Sequence, residues 1–190
     1  MVSPVAELAT DDASDDVAER LPWTADRCLV GALLWSPVAR AATVLDVLDD
    51  SDLSEPPARL VVDLARELVE AGRAPDPQAI LSRGVESGRA ASEHGARRLS
   101  EYLIGAYHDV PDRAGAFFYA ADVLAARYRL SFAELAQQLA ELDASGSLDE
   151  LEHALAAELE RIRNLRRRHK RVCALAGLTA HRDRGEKEYR

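Results

Sequence analysis

Few residues of this sequence have the type and spacing that catalysis or metal binding requires. The best candidate is one His–Cys pair. His169 lies four residues before Cys173, so on a helix the two side chains would be neighbours. An imidazole beside a thiol can produce a nucleophile, but catalysis also needs an orienting group and a cleft, and the sequence supplies neither here. We therefore interpret the pair as a contact near the end of a helix and predict no catalytic residue.

Other catalytic and metal-binding patterns are absent from the sequence. The glycines form neither G-x-x-x-x-G-K-[ST] nor G-x-G-x-x-G, and no G-x-S-x-G elbow is present. No histidine has a second histidine four positions away and none belongs to H-E-x-x-H, so we predict no metal site. The adjacent carboxylates Asp49 and Asp50 are interpreted as a solvated break between helices. The sequence thus predicts a protein that is not an enzyme and holds no cofactor.

The strongest charge feature is a basic run at residues 161–171, which contains seven Arg or Lys residues and no acid. It has three interpretations: neutralisation of nucleic-acid phosphates, contact with an acidic partner protein, or support of a solvated helix C-terminus. The net charge of −9 argues against a protein that coats nucleic acid with its whole surface. Only His169 adds a ring to the run, which disfavours stacking on single strands. The candidate contact residues are Arg163, Arg166, Arg167, Arg168, Lys170 and Arg171.

Composition is typical of a soluble globular protein. The chain has 190 residues, of which 47% are hydrophobic and 30% charged, enough for one domain with a real core. Its two cysteines are far apart, which indicates a reducing compartment. No apolar run reaches the roughly 18 residues that span a bilayer, and the acidic N-terminus resembles neither a signal nor a transit peptide. We expect a cytoplasmic protein without a membrane partner.

The elements that would position these residues are helices, because apolar side chains recur at steps of three and four. Two long amphipathic helices, joined by a turn at residues 143–147, dominate the C-terminal half. Ser147 and Glu150 have the spacing of a capping box at the start of the second helix. Each helix carries one continuous apolar stripe, so a short turn between them predicts an antiparallel hairpin.

Capping and proline signals predict shorter helices before the hairpin. The first four of these are expected to begin at Thr24, Pro37, Pro56 and Asp76. The second is expected to end at residue 48, the third at Gly72 and the fourth at Gly84. Residues 85–96 have little apolar character and are expected to form a loop, followed by a helix through Leu99 and Tyr107.

The sequence therefore predicts an all-α fold, a small helical bundle followed by a long antiparallel helical hairpin. We expect an acidic disordered tail at residues 1–21, the bundle at 22–110, the hairpin at 111–172 and a basic, charged tail at 173–190. The apolar stripes hold the hairpin together and also predict self-association. The residues selected for that contact are Phe117, Leu124, Tyr128, Phe132, Leu135, Leu139, Leu151, Leu155, Leu159 and Ile162.

An ordered series of short motifs resembles the N-terminal domain of DnaB-type replicative helicases. The series begins with Ala-Asp-Arg-Cys-Leu-Val-Gly-Ala-Leu-Leu-Trp-Ser-Pro at 25–37 and continues with Leu-Ser-Glu-Pro-Pro-Ala-Arg at 53–59. Tyr102-Leu103, Val110-Pro111 and Tyr119-Ala120 follow. The order and spacing are similar from residue 24 to residue 165, and the whole series is more specific than any one motif.

The resemblance implies an architecture and a role. In that family the domain is a helical bundle followed by a hairpin; hairpins pair between subunits, and the domains form a collar on the hexameric ring where the primase docks. The family's ATPase motor is absent from these 190 residues. The resemblance therefore implies a non-catalytic assembly module of DNA replication, which associates with itself and binds primase or the replicative helicase. Nucleic-acid binding by the basic run is the alternative.

Overall fold

A computed structural model describes residues 24–143 and 148–178, and the side chains of residues 24–140 and 152–178. Within these ranges the chain forms α-helices, one short 3-10 helix at Asp50–Asp52, and no strand. The fold is therefore all-α, as the sequence predicts. The α-helices are α1 (Ala25–Leu34), α2 (Val38–Leu45), α3 (Pro56–Glu70), α4 (Pro77–Glu86), α5 (Glu93–Asp109), α6 (Ala116–Asp143) and α7 (Leu148–Leu175).

Several helix ends follow from local sequence. The side chains of Thr24, Asp76 and Ser92 each accept a hydrogen bond from the backbone N–H three residues further on, at the starts of α1, α4 and α5. Pro56 occupies the first turn of α3, where its missing N–H costs nothing. Gly72 follows α3 with a φ of 72°, the left-handed conformation of a C′ glycine. Of these, the positions predicted from the sequence are confirmed, whereas the Ser92 cap was not predicted.

The second helix is shorter than the sequence predicts. α2 ends at Leu45 instead of residue 48, and a turn then carries Val47 and Leu48 into the core, where both are buried. In the 3-10 helix that follows, a capping box is present: the Asp52 carboxylate accepts a hydrogen bond from the N–H of Asp49 at 2.7 Å. The predicted break between helices is therefore a structured segment in which Asp49 and Asp50 are exposed and Asp52 is buried.

α4 and α5 take up much of the segment that was expected to be a loop. α4 continues through Gly84, where a Cβ would come within 2.9 Å of the Leu99 side chain. α5 begins at Glu93, with Ser92 as its N-cap. The helix end predicted at Gly84 is wrong, because the close packing of Gly84 against α5 offsets the low helix propensity of glycine.

α1 is the centre of the bundle. It packs against α3, α5 and α6, and its residues 28–34 are buried on every side, as expected for a run of apolar residues. Leu29 and Val30 are fully buried. Gly31 lets α5 pass close to α1, because a Cβ at this position would collide with the backbone oxygen of Ala106 and lie 2.7 Å from the Cβ of Val110.

Polar contacts fix both ends of α1. The Asp26 carboxylate accepts hydrogen bonds from the N–H and the hydroxyl of Ser54, at 2.7 and 2.8 Å, and from the N–H of Glu55 at 2.9 Å. At the other end, the Trp35 ring stacks on Tyr107 with 4.1 Å between centroids. The Trp35 indole N–H also donates to the Tyr107 backbone oxygen at 3.0 Å. These contacts therefore hold α1 in place within the bundle.

α6 and α7 are antiparallel, and only their bases join the bundle. Leu124 in the first half of α6 and Val172 near the end of α7 belong to the same buried core. Between Tyr128 and Leu165, no described residue belongs to that core. The distal part of the hairpin therefore depends on the packing of its two helices against each other.

Some predictions fall outside the described residues. These are the acidic tail at 1–21, Ser147 of the capping box and residues 179–190 of the C-terminal tail. The beginning of that tail is described: α7 continues to Leu175, and Gly177 follows with a φ of 73°. Within the described ranges, no helix combines the length and the apolar character needed to cross a bilayer.

Candidate interaction surfaces

The hairpin residues selected for self-association differ in exposure. Leu124 and Ile162 are 0% and 5% exposed, so their apolar surface is already used within the chain. Phe132 is 46% exposed. The Leu151 side chain lies outside the described residues. The remaining members are half-buried, and they are Phe117, Tyr128, Leu135, Leu139, Leu155 and Leu159.

Three large apolar side chains of α6 are exposed: Phe118 at 44% in its first turn, and Leu130 at 49% and Phe132 at 46% further along the hairpin. A helix turns by about 100° per residue, so positions two apart lie on nearly opposite flanks. Phe132 packs edge-on against Tyr128, with 5.1 Å between ring centroids. Sequence periodicity does not reveal Leu130, because it lies outside the stripe of threes and fours. The hairpin thus has an exposed apolar residue on each flank.

A cleft of about 430 Å³ lies beside Leu130, between α6 and the 3-10 helix. It continues past the Arg127–Glu134 ion pair, at 2.9 Å, into a smaller space of about 180 Å³ between α6 and α7. The charged side chains around it already form hydrogen bonds or ion pairs within the chain; Arg161, for example, bonds Glu158 at 2.6 Å. We therefore interpret the cleft as part of the hairpin base and not as a ligand pocket.

The basic run is divided between two faces of α7. On the inward face, Arg168 pairs with Asp52 and, at 2.9 Å, with Asp49, whereas Arg171 pairs with Asp46 at 2.8 Å. The three acids lie between α2 and α3. The sequence predicts Asp46 inside the second helix, and Asp49 and Asp52 in a solvated break between helices. That interpretation is corrected for Asp52, because its side chain is 1% exposed.

Arg168 joins α7 to the bundle. Both terminal nitrogens donate to the Asp52 carboxylate, one of them at 3.1 Å, and one also reaches the Val47 backbone oxygen at 3.3 Å. This forked geometry is the strong form of an Arg–carboxylate pair. Leu165 and Val172, about one turn to either side, are buried in the core. The ion pair therefore lies within an apolar contact, and loss of the arginine would leave a buried carboxylate without its partner.

The outward face of α7 carries the other basic candidates. Arg163, Arg166, Arg167 and Lys170 are all exposed, and at about 100° per residue they fall within an arc of about 100°. We call these four residues the basic stripe. Glu160 pairs with Arg163 at 3.6 Å and with Arg167 at 3.0 Å. Arg166 and Lys170 form no ion pair with any side chain that the structure describes.

The His169–Cys173 pair is arranged for packing. The Cys173 Sγ lies 3.5 Å from the His169 Nε2. Burial raises the pKa of the Cys173 thiol and lowers the pKa of the His169 imidazole, so the neutral form of each is favoured. A nucleophilic cysteine needs the opposite shift. Among the described side chains, no group of three or more His, Cys, Asp or Glu could hold a metal ion.

Comparison with known proteins supports the fold. No protein-family model and no curated protein matches this sequence. The structure is similar to the crystal structure of the N-terminal domain of DnaB helicase from Mycobacterium tuberculosis, with a TM-score of 0.61 and 22% sequence identity. The match covers 72% of this chain and 94% of that one. The resemblance predicted from the sequence is therefore confirmed at the level of the fold.

Proposed function

We propose that this chain is a non-catalytic assembly module with the architecture of a helicase N-terminal domain. It associates with itself through the α6–α7 hairpin and binds a protein of the replication machinery, either primase or the replicative helicase. The observation that carries the proposal is the exposure of Leu130 and Phe132 on a hairpin that extends beyond the bundle core. The match over 94% of a helicase domain supports the choice of partner class.

Burial of apolar surface provides the driving force for self-association. Full burial of a leucine or phenylalanine side chain contributes about 1.5–3 kcal/mol. No described residue of the distal hairpin belongs to the bundle core, and Leu135 and Leu159 are half-buried. A second hairpin packed alongside would complete a four-helix arrangement and cover these residues. A two-fold contact uses each side chain twice, so a small area per chain is sufficient.

Replacement of both Leu130 and Phe132 by serine tests the hairpin contact. We expect the dissociation constant for self-association to rise by on the order of tenfold or more, because apolar burial is lost on both chains. Gel filtration with light scattering over a concentration series measures it. Ile104→Ser is the matched control, because Ile104 is 56% exposed but lies on α5. A chain that is monomeric at every concentration, or a double variant that behaves like the control, would contradict the proposal.

Capture with purified primase and purified replicative helicase tests the partner. The double variant and the Ile104→Ser control should be compared in the same experiment. Loss of capture in the double variant alone would place the partner on the hairpin. Absence of binding to both proteins would contradict this half of the proposal.

Nucleic-acid binding is the second candidate function. It is favoured by the exposure of the basic stripe and by the lack of an ion pair between Arg166 or Lys170 and any described side chain. Its signature would be affinity for duplex DNA that falls steeply as salt rises. Arg168 is not part of this candidate surface, because its guanidinium is bonded to Asp52.

A further inference from the structure

A groove of about 770 Å³ lies between α2 and α3. Its floor is apolar, with Ala42 and Val69 half-buried beside the buried Leu45 and Leu48. The charged residues that line it are Asp46, Asp49, Asp50, Glu70 and Arg66. We call this feature the acidic groove. An acidic rim fits a helix that presents basic side chains.

The rim carries an excess of negative charge. Arg66, the one cation in the lining, pairs with Asp50 and, at 3.4 Å, with Asp63. Burial and the neighbouring Asp50 raise the pKa of Asp63, as expected where carboxylates crowd one cation. Glu70 is exposed and forms no ion pair with the described side chains. Among the described side chains, Glu70 is therefore the lining carboxylate without an ion pair, and the acids of the lining outnumber its one cation.

One basic helix already lies against this rim. Arg171 of α7 pairs with Asp46 at 2.8 Å, and Arg168 pairs with Asp49 at 2.9 Å. The side chains of Asp46 and Asp49 nevertheless remain 62% and 58% exposed. Asp46 and Asp49 thus bind two arginines that are three residues apart on α7. The same two carboxylates also line the groove.

The chain itself carries the complementary surface. The basic stripe presents four positive charges at helical steps of three and one, on the side of α7 opposite the buried Leu165 and Val172. Because the inward face of α7 packs against the bundle of the same molecule, the basic stripe faces away from that molecule's own acidic groove. It is free to reach the groove of another molecule.

We propose that the basic stripe of one copy docks in the acidic groove of a second copy. The contact joins two different surfaces, so it is heterologous, and its repetition produces a ring if the rotation closes and an open chain if it does not. It is separate from the hairpin contact of the proposed function, and neither contact requires the other.

Charge reversal on each side provides a direct test. The groove variant is Asp46→Lys with Glu70→Lys, and the stripe variant is Arg166→Glu with Lys170→Glu. Each variant alone should associate more weakly at low ionic strength, by on the order of tenfold or more in dissociation constant, because like charges then face each other. An equimolar mixture should regain association, because the reversed groove of one chain fits the reversed stripe of the other. Sedimentation velocity at low and high salt measures both.

The hairpin contact is separated by repeating the series with Leu130→Ser and Phe132→Ser also present. The matched control is Arg97→Glu with Arg98→Glu, two exposed positions on α5, which should associate like the unmodified chain. Circular dichroism checks folding, and the neutral pair Asp46→Asn with Glu70→Gln replaces the groove variant if that variant does not fold.

Three results would overturn the inference: single-side variants that associate like the unmodified chain, a mixture that does not recover, or a stripe variant that loses only its affinity for duplex DNA. Recovery in the mixture, together with no effect of the hairpin substitutions, would count against the proposed function and support the groove contact.

Discussion

Arg168 belongs to the most basic stretch of the chain, yet its guanidinium is used inside the molecule. Its side chain is 18% exposed and pairs with Asp52, which is 1% exposed. We predict that Arg168→Gln lowers the free energy of unfolding by about 3–5 kcal/mol, because it leaves a buried carboxylate without its counter-charge. Urea denaturation followed by circular dichroism measures the loss as a shift of the midpoint.

Arg163→Gln is the matched control for Arg168. Its side chain is 66% exposed and pairs with Glu160 at 3.6 Å, so the change should cost about 0–1 kcal/mol. Addition of Asp52→Asn to the Arg168→Gln variant should recover part of the stability, since the uncompensated charge is removed. Equal midpoints for Arg168→Gln and Arg163→Gln would show that the buried pair contributes nothing.

The role of Arg168 could not be predicted from the sequence. Arg168 and Asp52 are 116 residues apart along the chain, and each lies in a charged segment that is most often exposed. Only the return of α7 to the bundle brings them together. The exposed members of the same run were predictable as a group, but not which arginines face outward, because that depends on the rotation of α7 about its axis.

At the scale of elements, the close approach of α1 and α5 depends on a residue without a side chain. We predict that Gly31→Ala lowers the free energy of unfolding by about 1–3 kcal/mol, because the added Cβ overlaps the backbone oxygen of Ala106. Backbone atoms in two packed helices have little freedom to move aside. Thermal or urea unfolding measures the effect.

Gly95→Ala makes the same chemical change in a more open place. Gly95 lies in the first turn of α5, where a Cβ would be 3.0 Å from the Ser92 hydroxyl oxygen. Helix propensity favours alanine over glycine by about 1 kcal/mol, which offsets the cost of this close contact. The Gly95→Ala variant should therefore be close to the unmodified chain in stability. If Gly31→Ala proved as stable as Gly95→Ala, the two helices would have more room than the structure indicates.

The elements predicted correctly are those whose signals are local. Thr24 and Asp76 cap the helices that follow them, and apolar periodicity alone indicates α6 and α7. The errors arise where tertiary packing overrides a local rule. Gly84 has the usual character of a helix end, but the contact with Leu99 keeps it inside α4. The exposure of Leu130 does not follow from the sequence, because it depends on where α7 lies.

At the scale of the whole molecule, stability and interaction are assigned to different regions. Leu29 and Leu124 belong to one buried core that ends near Tyr128 on α6 and Leu165 on α7. Beyond those positions, no residue that the structure describes belongs to the core. Its distal part therefore loses little apolar burial when it opens, and it gains burial when a partner covers it.

Hydrogen exchange should reveal this division. Amides around Leu29 and Leu124 should exchange slowest, because only global unfolding exposes them, whereas amides of residues 132–143 and 148–159 should exchange faster in dilute solution. A rise in protein concentration should slow exchange in the distal hairpin selectively, because self-association covers it. With serine at positions 130 and 132, the distal amides should exchange rapidly at every concentration. If the distal amides exchange as slowly as the core amides in dilute solution, a single chain stabilises its own hairpin. The driving force for pairing of two hairpins would then be missing.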